Sequence, residues 1–276
     1  MGFFDFLSEA KENMDKRRQA REYISQAKQF IREGDEIYQK AYDKVCSYAS
    51  ETEYRLHEHL KYKKKIAQEL GSNVETTLKN FKQFNIESKV TDTSSINSYG
   101  TDVSIFKSAF SGVISNTDIP SILDIFASDD DYYEAKMQKD EAKRYKERMK
   151  MERAKLNNYK EQMSEIRSFI SSEKSELDSL MEKVKIMTRE LQSGMQKNSF
   201  IQEEADYLKG IHKITECIIS LLSTQFLNDS LSITQKYQKI FYGVKSINQN
   251  LPYAPSINDK ATLAAIKKIL DDAIQY

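Results

Sequence analysis

The feature that most constrains this chain is a 3-4 apolar repeat that stays in frame through its middle. Counting from Ala142 by threes and fours gives Tyr145, Met149, Glu152, Leu156, Tyr159, Met163, Ile166, Ile170, Glu173, Leu177, Leu180, Val184, Met187 and Leu191. Only Glu152 and Glu173 interrupt the seam, and no proline falls between Asp129 and Leu251. Apolar side chains at this spacing share one stripe of a helix, so the pattern predicts a coiled-coil helix of roughly 75–80 Å at about 1.5 Å per residue.

A second, weaker seam precedes it: Tyr23, Ala27, Phe30, Gly34, Ile37, Ala41, Val45, Tyr48, Thr52, Leu56, His59, Lys63, Ile66 and Leu70. Gly34 is a candidate bend, and Gly71-Ser72-Asn73 reads as a helix stop, followed by a short helix from Val74 to Phe84. Thr91 to Thr101 reads as a loop, and Val103 to Ala127 as two short apolar helices divided by Gly112 and Pro120. Ser128-Asp129-Asp130-Asp131 supplies caps for the second long helix, because short polar side chains accept from the free amides of a helix's first turn. A third segment runs from Phe200 to Phe226, and Asn228-Asp229-Ser230 reads as a break that caps a helix to Ile247. Pro252 and Pro255 hold a turn, and Ser256 with Asp259 resembles a capping box for the last helix.

The expected fold is all-α: an elongated antiparallel coiled-coil hairpin of two long helices, with a small helical insert and a C-terminal helical bundle cap. Its parts are an amphipathic N-terminal segment (1–22), a first arm (23–84), an insert at the hairpin tip or side (85–131), a second arm (132–197) and a C-terminal helical segment (198–276). Long seams bury only a stripe, so the remaining apolar faces call for further helices or another subunit.

Composition narrows the function. The 276 residues carry 42 basic and 42 acidic side chains, a balance that disfavours a nucleic-acid binder. With 8 Gly, 3 Pro, no Trp and 30% charged residues, the chain suits long helices better than a β-sandwich or barrel. Cys46 and Cys217 fall on apolar faces and read as buried thiols. No signal peptide, transmembrane run or myristoylation pattern is expected, Phe6 standing where the last would need Ser or Thr. The expected location is therefore cytoplasmic, with peripheral membrane contact open.

Chemistry-bearing motifs are sparse. Glu53 with His57 and His212 with Glu216 have the i, i+4 spacing of helical metal ligands, but neither has a second pair, so no metal is expected. There is no glycine-rich phosphate loop and no nucleophile elbow, and neither a cofactor nor a small-molecule substrate is expected. The carboxylates read as solvated faces, and no catalytic residue is assigned. Lys61 to Lys65, apart from Tyr62, is a basic stretch with no acid downstream until Glu69.

Two segments point to surfaces. Phe3, Phe4, Phe6 and Leu7 are followed by Lys11, Lys16, Arg17 and Arg18, a pairing of bulky apolar groups with cations that suits an anionic membrane surface. Packing back on the bundle is the rival reading. Over about its first 20 residues the chain resembles the leading helix of phage-shock and ESCRT-III-type membrane-remodelling proteins, which are also long helical hairpins. The apolar insert, with Ile105, Phe106, Phe110, Val113 and Ile114, is a second candidate contact for membrane or partner. Its place between two long helices is similar in outline to helical pore-forming toxins of the haemolysin E type; Asp118, Asp124 and Pro120 suit a folded cap better. The leading expectation is a non-enzymatic scaffold that self-associates or binds a helical partner. Its alternative is a pore-forming or membrane-remodelling protein.

Overall fold

The computed structural model describes residues 3–80, 100–115, 131–194 and 202–271, with side chains over 10–71, 101–113, 131–193 and 203–271. Six helices account for most of them: α1 (Phe3–Asn80), α2 (Gly100–Ser115), α3 (Tyr132–Gly194), α4 (Gln202–Ser223), α5 (Gln235–Asn250) and α6 (Lys260–Asp271). Among the described residues there is no strand, only an isolated antiparallel bridge between Leu227 and Ile233. The chain divides into two compact units, one of Met1–Ser50 with Ser111–Met163 and one of Glu51–Phe110 with Ser164–Tyr276.

The seams are buried as the repeat requires. On α3 every apolar seam residue from Tyr145 to Leu191 is buried except Tyr159, which is half-buried. On α1 the buried stripe takes Ile24, Tyr38 and Ala49, while Tyr23, Ile37 and Tyr48 flank it half-buried. Two of those flanking rings lie under α3 lysines: Lys139 Nζ is 4.5 Å from the Tyr23 ring centre, and Lys160 Nζ is 4.9 Å from that of Tyr48. An aromatic at the seam's edge thus offers its electron-rich face to a cation while its body covers the core.

The all-α class and the close pairing of two long helices stand; the direction of the pairing is a correction. In the first unit, Tyr23 meets Tyr132 at 5.6 Å between ring centres, Glu33 pairs with Lys146, and Tyr145 donates to Asp35 at 2.5 Å. In the second, Glu51 pairs with Arg167, His59 Nε2 lies 3.0 Å from Glu173 Oε2, and Glu69 pairs with Lys185 at 3.0 Å. Within each unit residue numbers rise together on both helices, so α1 and α3 run parallel, not antiparallel. Helix α2 is antiparallel to α1: Lys107 bonds Glu53 at 2.9 Å, while Asp102, five residues earlier, feels the charge of Lys63. Helix α2, the described part of the insert, therefore runs back alongside α1, as one leg of the return that two parallel helices need.

Several local boundaries also differ. α1 already begins at Phe3 and passes through Gly71-Ser72-Asn73 to Asn80 as one helix of 78 residues. Gly71 does not stop it because no described glycine takes the positive φ that ends a helix in a left-handed residue. Gly34 marks no bend but a close approach: a Cβ there would sit 3.0 Å from Cε1 of Tyr145. Gly112 does not divide α2. The second short helix expected around Pro120 lies outside the described residues. Asp131 caps α3, accepting from Tyr133 and Glu134 amides at 2.9 and 3.0 Å. At α5 the cap is Thr234 rather than the 228–230 turn; Asn228 instead folds that turn by accepting from Ser230 and Ser232, with Leu231 at φ 56°. Asp259 caps α6 alone, because the Ser256 hydroxyl donates to Glu190 at 2.6 Å.

Candidate functional site

The second unit encloses a cluster of ionisable side chains that no apolar seam would contain by chance. His59 and Lys63 occupy consecutive seam positions of α1, Glu173 occupies a seam position of α3, and Asp102 comes from α2. All four are buried, Lys63 at 1% and Glu173 at 0% exposure. Glu173 meets His59 at 3.0 Å and accepts from the Tyr237 hydroxyl of α5 at 2.6 Å. Lys63 Nζ stands 4.4 Å from the Tyr237 ring centre and 5.8 Å from that of Phe226. Asp102 caps the loop after α4, accepting from the Phe226 and Leu227 amides at 3.1 and 3.0 Å.

Each shift has a physical cause. Burial alone would raise the Glu173 carboxyl, but the charges of His59 and Lys63, with hydrogen bonds from His59 and Tyr237, outweigh it and hold the group at about 2. Burial pushes the Lys63 ammonium down against the pull of Glu173 and Asp102. Burial pushes Asp102 up, opposed by the Leu227 amide, Lys63, the Phe226 amide and His59. This arrangement joins α1, α2, α3 and α5 through charges that water does not screen, so a shift of any one helix would strand a buried ion. Aromatic packing surrounds it: Phe169 lies 4.6 Å from Phe241 and 5.8 Å from Phe226 between ring centres. Lys183 of α3 extends the same logic by donating to the carbonyls of Asn248 and Leu251 at the end of α5, at 2.5 and 2.9 Å.

The expected site residues fall into three groups. The side chains of Phe3, Phe4, Phe6, Leu7 and Ile114 lie outside the described residues, and Lys11 is exposed. Phe106 is buried at 1% and stacks on Phe110 at 6.1 Å, while Ile105, Phe110 and Val113 are half-buried. Of the basic stretch, Lys61 pairs with Glu58 at 2.8 Å, one turn back on its own helix, Lys65 lies 3.7 Å from Glu69, and Lys63 turns inward. The acid that serves Lys61 is thus upstream of the stretch, not the downstream Glu69. Glu152, the other seam break, is half-buried and pairs with Lys155 at 2.7 Å. Cys217 is buried and Cys46 half-buried, and neither is in a disulfide.

His57 and His212 each stand 3.7 Å from the glutamate expected to share their face. Among the described residues no three His, Cys, Asp or Glu side chains converge to hold a metal ion, and no helix is long and apolar enough to cross a membrane. The role of Asp102 and Tyr237 was not visible in sequence. The signal for the rest was: His59 and Lys63 sit in one seam and Glu173 in the other, and aligning the two seams in parallel brings them together.

Comparison with protein-family models, curated proteins and solved structures returned no match to this chain.

Proposed function

We propose that the protein is a non-enzymatic helical scaffold that engages helical proteins, a second copy of itself included, through the faces of its first unit. The observation that supports this reading is where that unit puts its apolar side chains. Its seam is rich in small residues, with Ala20, Ala27, Ala41, Ala49, Ala135 and Ala142 all buried. Besides the large residues buried in that seam, three more on α3 face outward: Tyr133, Met137 and Met151 are 72%, 64% and 59% exposed. Residues 18 apart are five whole turns apart, so Tyr133 and Met151 point the same way and Met137 lies one turn on, opposite Ala135 and Ala142. Large apolar side chains held outward among the charged Asp140, Arg144 and Arg148 give another helix apolar anchors with polar surroundings.

Light scattering on the full chain tests it. The expectation is a mass well above the 32.1 kDa of one chain at tens of micromolar, falling to one chain in Met137→Glu/Met151→Glu. A single-chain mass throughout that range would overturn self-association.

A second reading, docking on an anionic membrane surface, has its own support. All ten residues from Ala10 to Gln19 are exposed, and Met14 is 73% exposed. The helical backbone of α1 already begins at Phe3, so it leads straight into that exposed stretch. Flotation with anionic liposomes should carry the intact chain and leave behind one lacking the residues before Ser8. If neither floats, this reading falls.

A further inference from the structure

Cations recur at every seventh residue along one side of α3: Lys139, Lys146, Arg153, Lys160, Arg167 and Lys174. Seven residues nearly close two turns, so the row runs beside α1. In the first unit Lys139 lies over Tyr23, Lys146 lies 5.3 Å from the Phe30 ring centre and pairs with Glu33, and Lys160 lies over Tyr48. In the second, Arg167 pairs with Glu51, and Lys174 stands 5.5 Å from the Tyr62 ring centre.

Arg153 breaks the row. The α1 partners of Lys139 and Lys146 are themselves seven apart, Tyr23 and Phe30, and the next in that series is Ile37. Isoleucine offers a cation neither a ring face nor a carboxylate. Arg153 and Ile37 instead line a groove of about 510 Å³ along one side of the pair, floored by Ile37 and Ala41 and edged by Lys40 and Lys44. Among the described residues Lys40, Lys44 and Arg153 make no ion pair or hydrogen bond, whereas Lys146 is engaged with Glu33.

We propose that this groove is the docking site for an amphipathic helix of a partner protein, with its apolar edge on Ile37 and Ala41 and its flanking carboxylates against Lys40, Lys44 and Arg153. The proposal rests on the scaffold reading and gives its partner a chemistry. A helix fits because two parallel helical ridges with an apolar floor form the trough of a three-helix bundle. A continuous polyanion fits worse: Glu33 and Glu36 line the same groove and would repel it.

The test uses the full chain and a fluorescent helical peptide of about 21 residues, roughly six turns, with a Leu/Ala seam flanked by Glu, followed by anisotropy at low salt. The Glu-flanked peptide should bind saturably and weaken with salt, while a Lys-flanked version does not bind. K40E/K44E/R153E should lower the affinity about tenfold or more, since three rim charges change from attraction to repulsion. The neutral K40Q/K44Q/R153Q should fall between, and both variants should keep the thermal melt and the light-scattering mass of the parent. No saturable binding, or binding unaffected by reversal, overturns the proposal. So does a duplex DNA oligonucleotide that binds more tightly and is lost in the same variant, which would mark a polyanion site. A change of mass on reversal would make a second copy the occupant and overturn it equally. Self-association, the other arm of the scaffold reading, is tested separately by the mass of the unmodified chain and of Met137→Glu/Met151→Glu, so the two can fail independently.

Discussion

Glu173→Gln should destabilise the second unit by roughly 3 kcal/mol near neutral pH, and the loss should shrink in acid. Glutamine keeps the shape of the side chain and can still accept from Tyr237, so the change removes the charge and little else. A carboxyl held at about 2 in the fold against an ordinary 4.5 corresponds to roughly 3 kcal/mol of stability. Removing one member of a buried ion pair costs about 3–5 kcal/mol by an independent route. The two figures agree because Lys63 is the same buried cation in both, left with Asp102 as its remaining nearby anion. The sign in pH comes from the depressed carboxyl: its contribution is complete above about 4.5 and is lost as pH falls through about 2. Urea unfolding followed by far-ultraviolet circular dichroism at pH 6 and pH 3 should therefore show the gap between parent and variant falling by about half. The carboxylates outside the cluster titrate alike in both proteins, so the change in the gap reports Glu173 and the Asp102 that shares its cations. A loss under about 1 kcal/mol at pH 6, or an equal loss at both pH values, would refute the assignment of Glu173 as a buried, ionised partner of His59 and Lys63.

Lysine-reactive crosslinking with mass spectrometry checks the helix direction. Lys40 with Lys146 and Lys65 with Lys174 should both be recovered, because each pair lines one groove; recovery of Lys40 with Lys185 and Lys65 with Lys146 instead would restore the antiparallel pairing. Gly210→Ala should cost about 1–3 kcal/mol in urea unfolding by overpacking, since its Cβ would come within 2.8 Å of Ile266 Cγ2. In an Ile266→Ala background the same change should cost much less, and an unchanged cost would mean that the α4–α6 approach is not what limits residue 210.

What the sequence revealed and what it hid divide along a physical line. The seam from Tyr145 to Leu191 was legible because burial at a fixed angular interval is a property of one helix alone. The capping roles of Asp131 and Asp259 were legible for the same reason, being bonds within a few residues. Gly71 and Gly112 misled because a glycine ends a helix only when the backbone turns left-handed. That turn is set by the downstream residues and by packing, not by the glycine alone. Lys63 was visible as a polar seam member, yet its partners lie on three other helices, 39 or more positions away: Asp102, Glu173 and Tyr237. A buried charge in isolation reads as a flaw; only the register between helices turns it into a tie.

Direction is the deepest of these hidden quantities, because a 3-4 repeat reads the same whichever way its partner runs. Two long seams joined by an insert suggest a hairpin by economy of connection. The insert itself carries the contrary information: it is far longer than the few residues that join neighbouring antiparallel helices. Its described helix, α2, runs back along α1 with Lys107 at Glu53 and Asp102 beside Lys63. Parallel pairing then changes what the seams can hold. It sets Glu173 opposite His59 and Lys63, whereas an antiparallel pairing through the same middle residues would carry Glu173 toward the other end of α1. The two acidic breaks therefore differ in kind: Glu152 sits at the edge beside its own Lys155, while Glu173 is the residue that an antiparallel arrangement would leave buried without a cation. The ionic cluster thus selects direction by penalising the alternative, and Glu173→Gln should reduce that preference as well as stability.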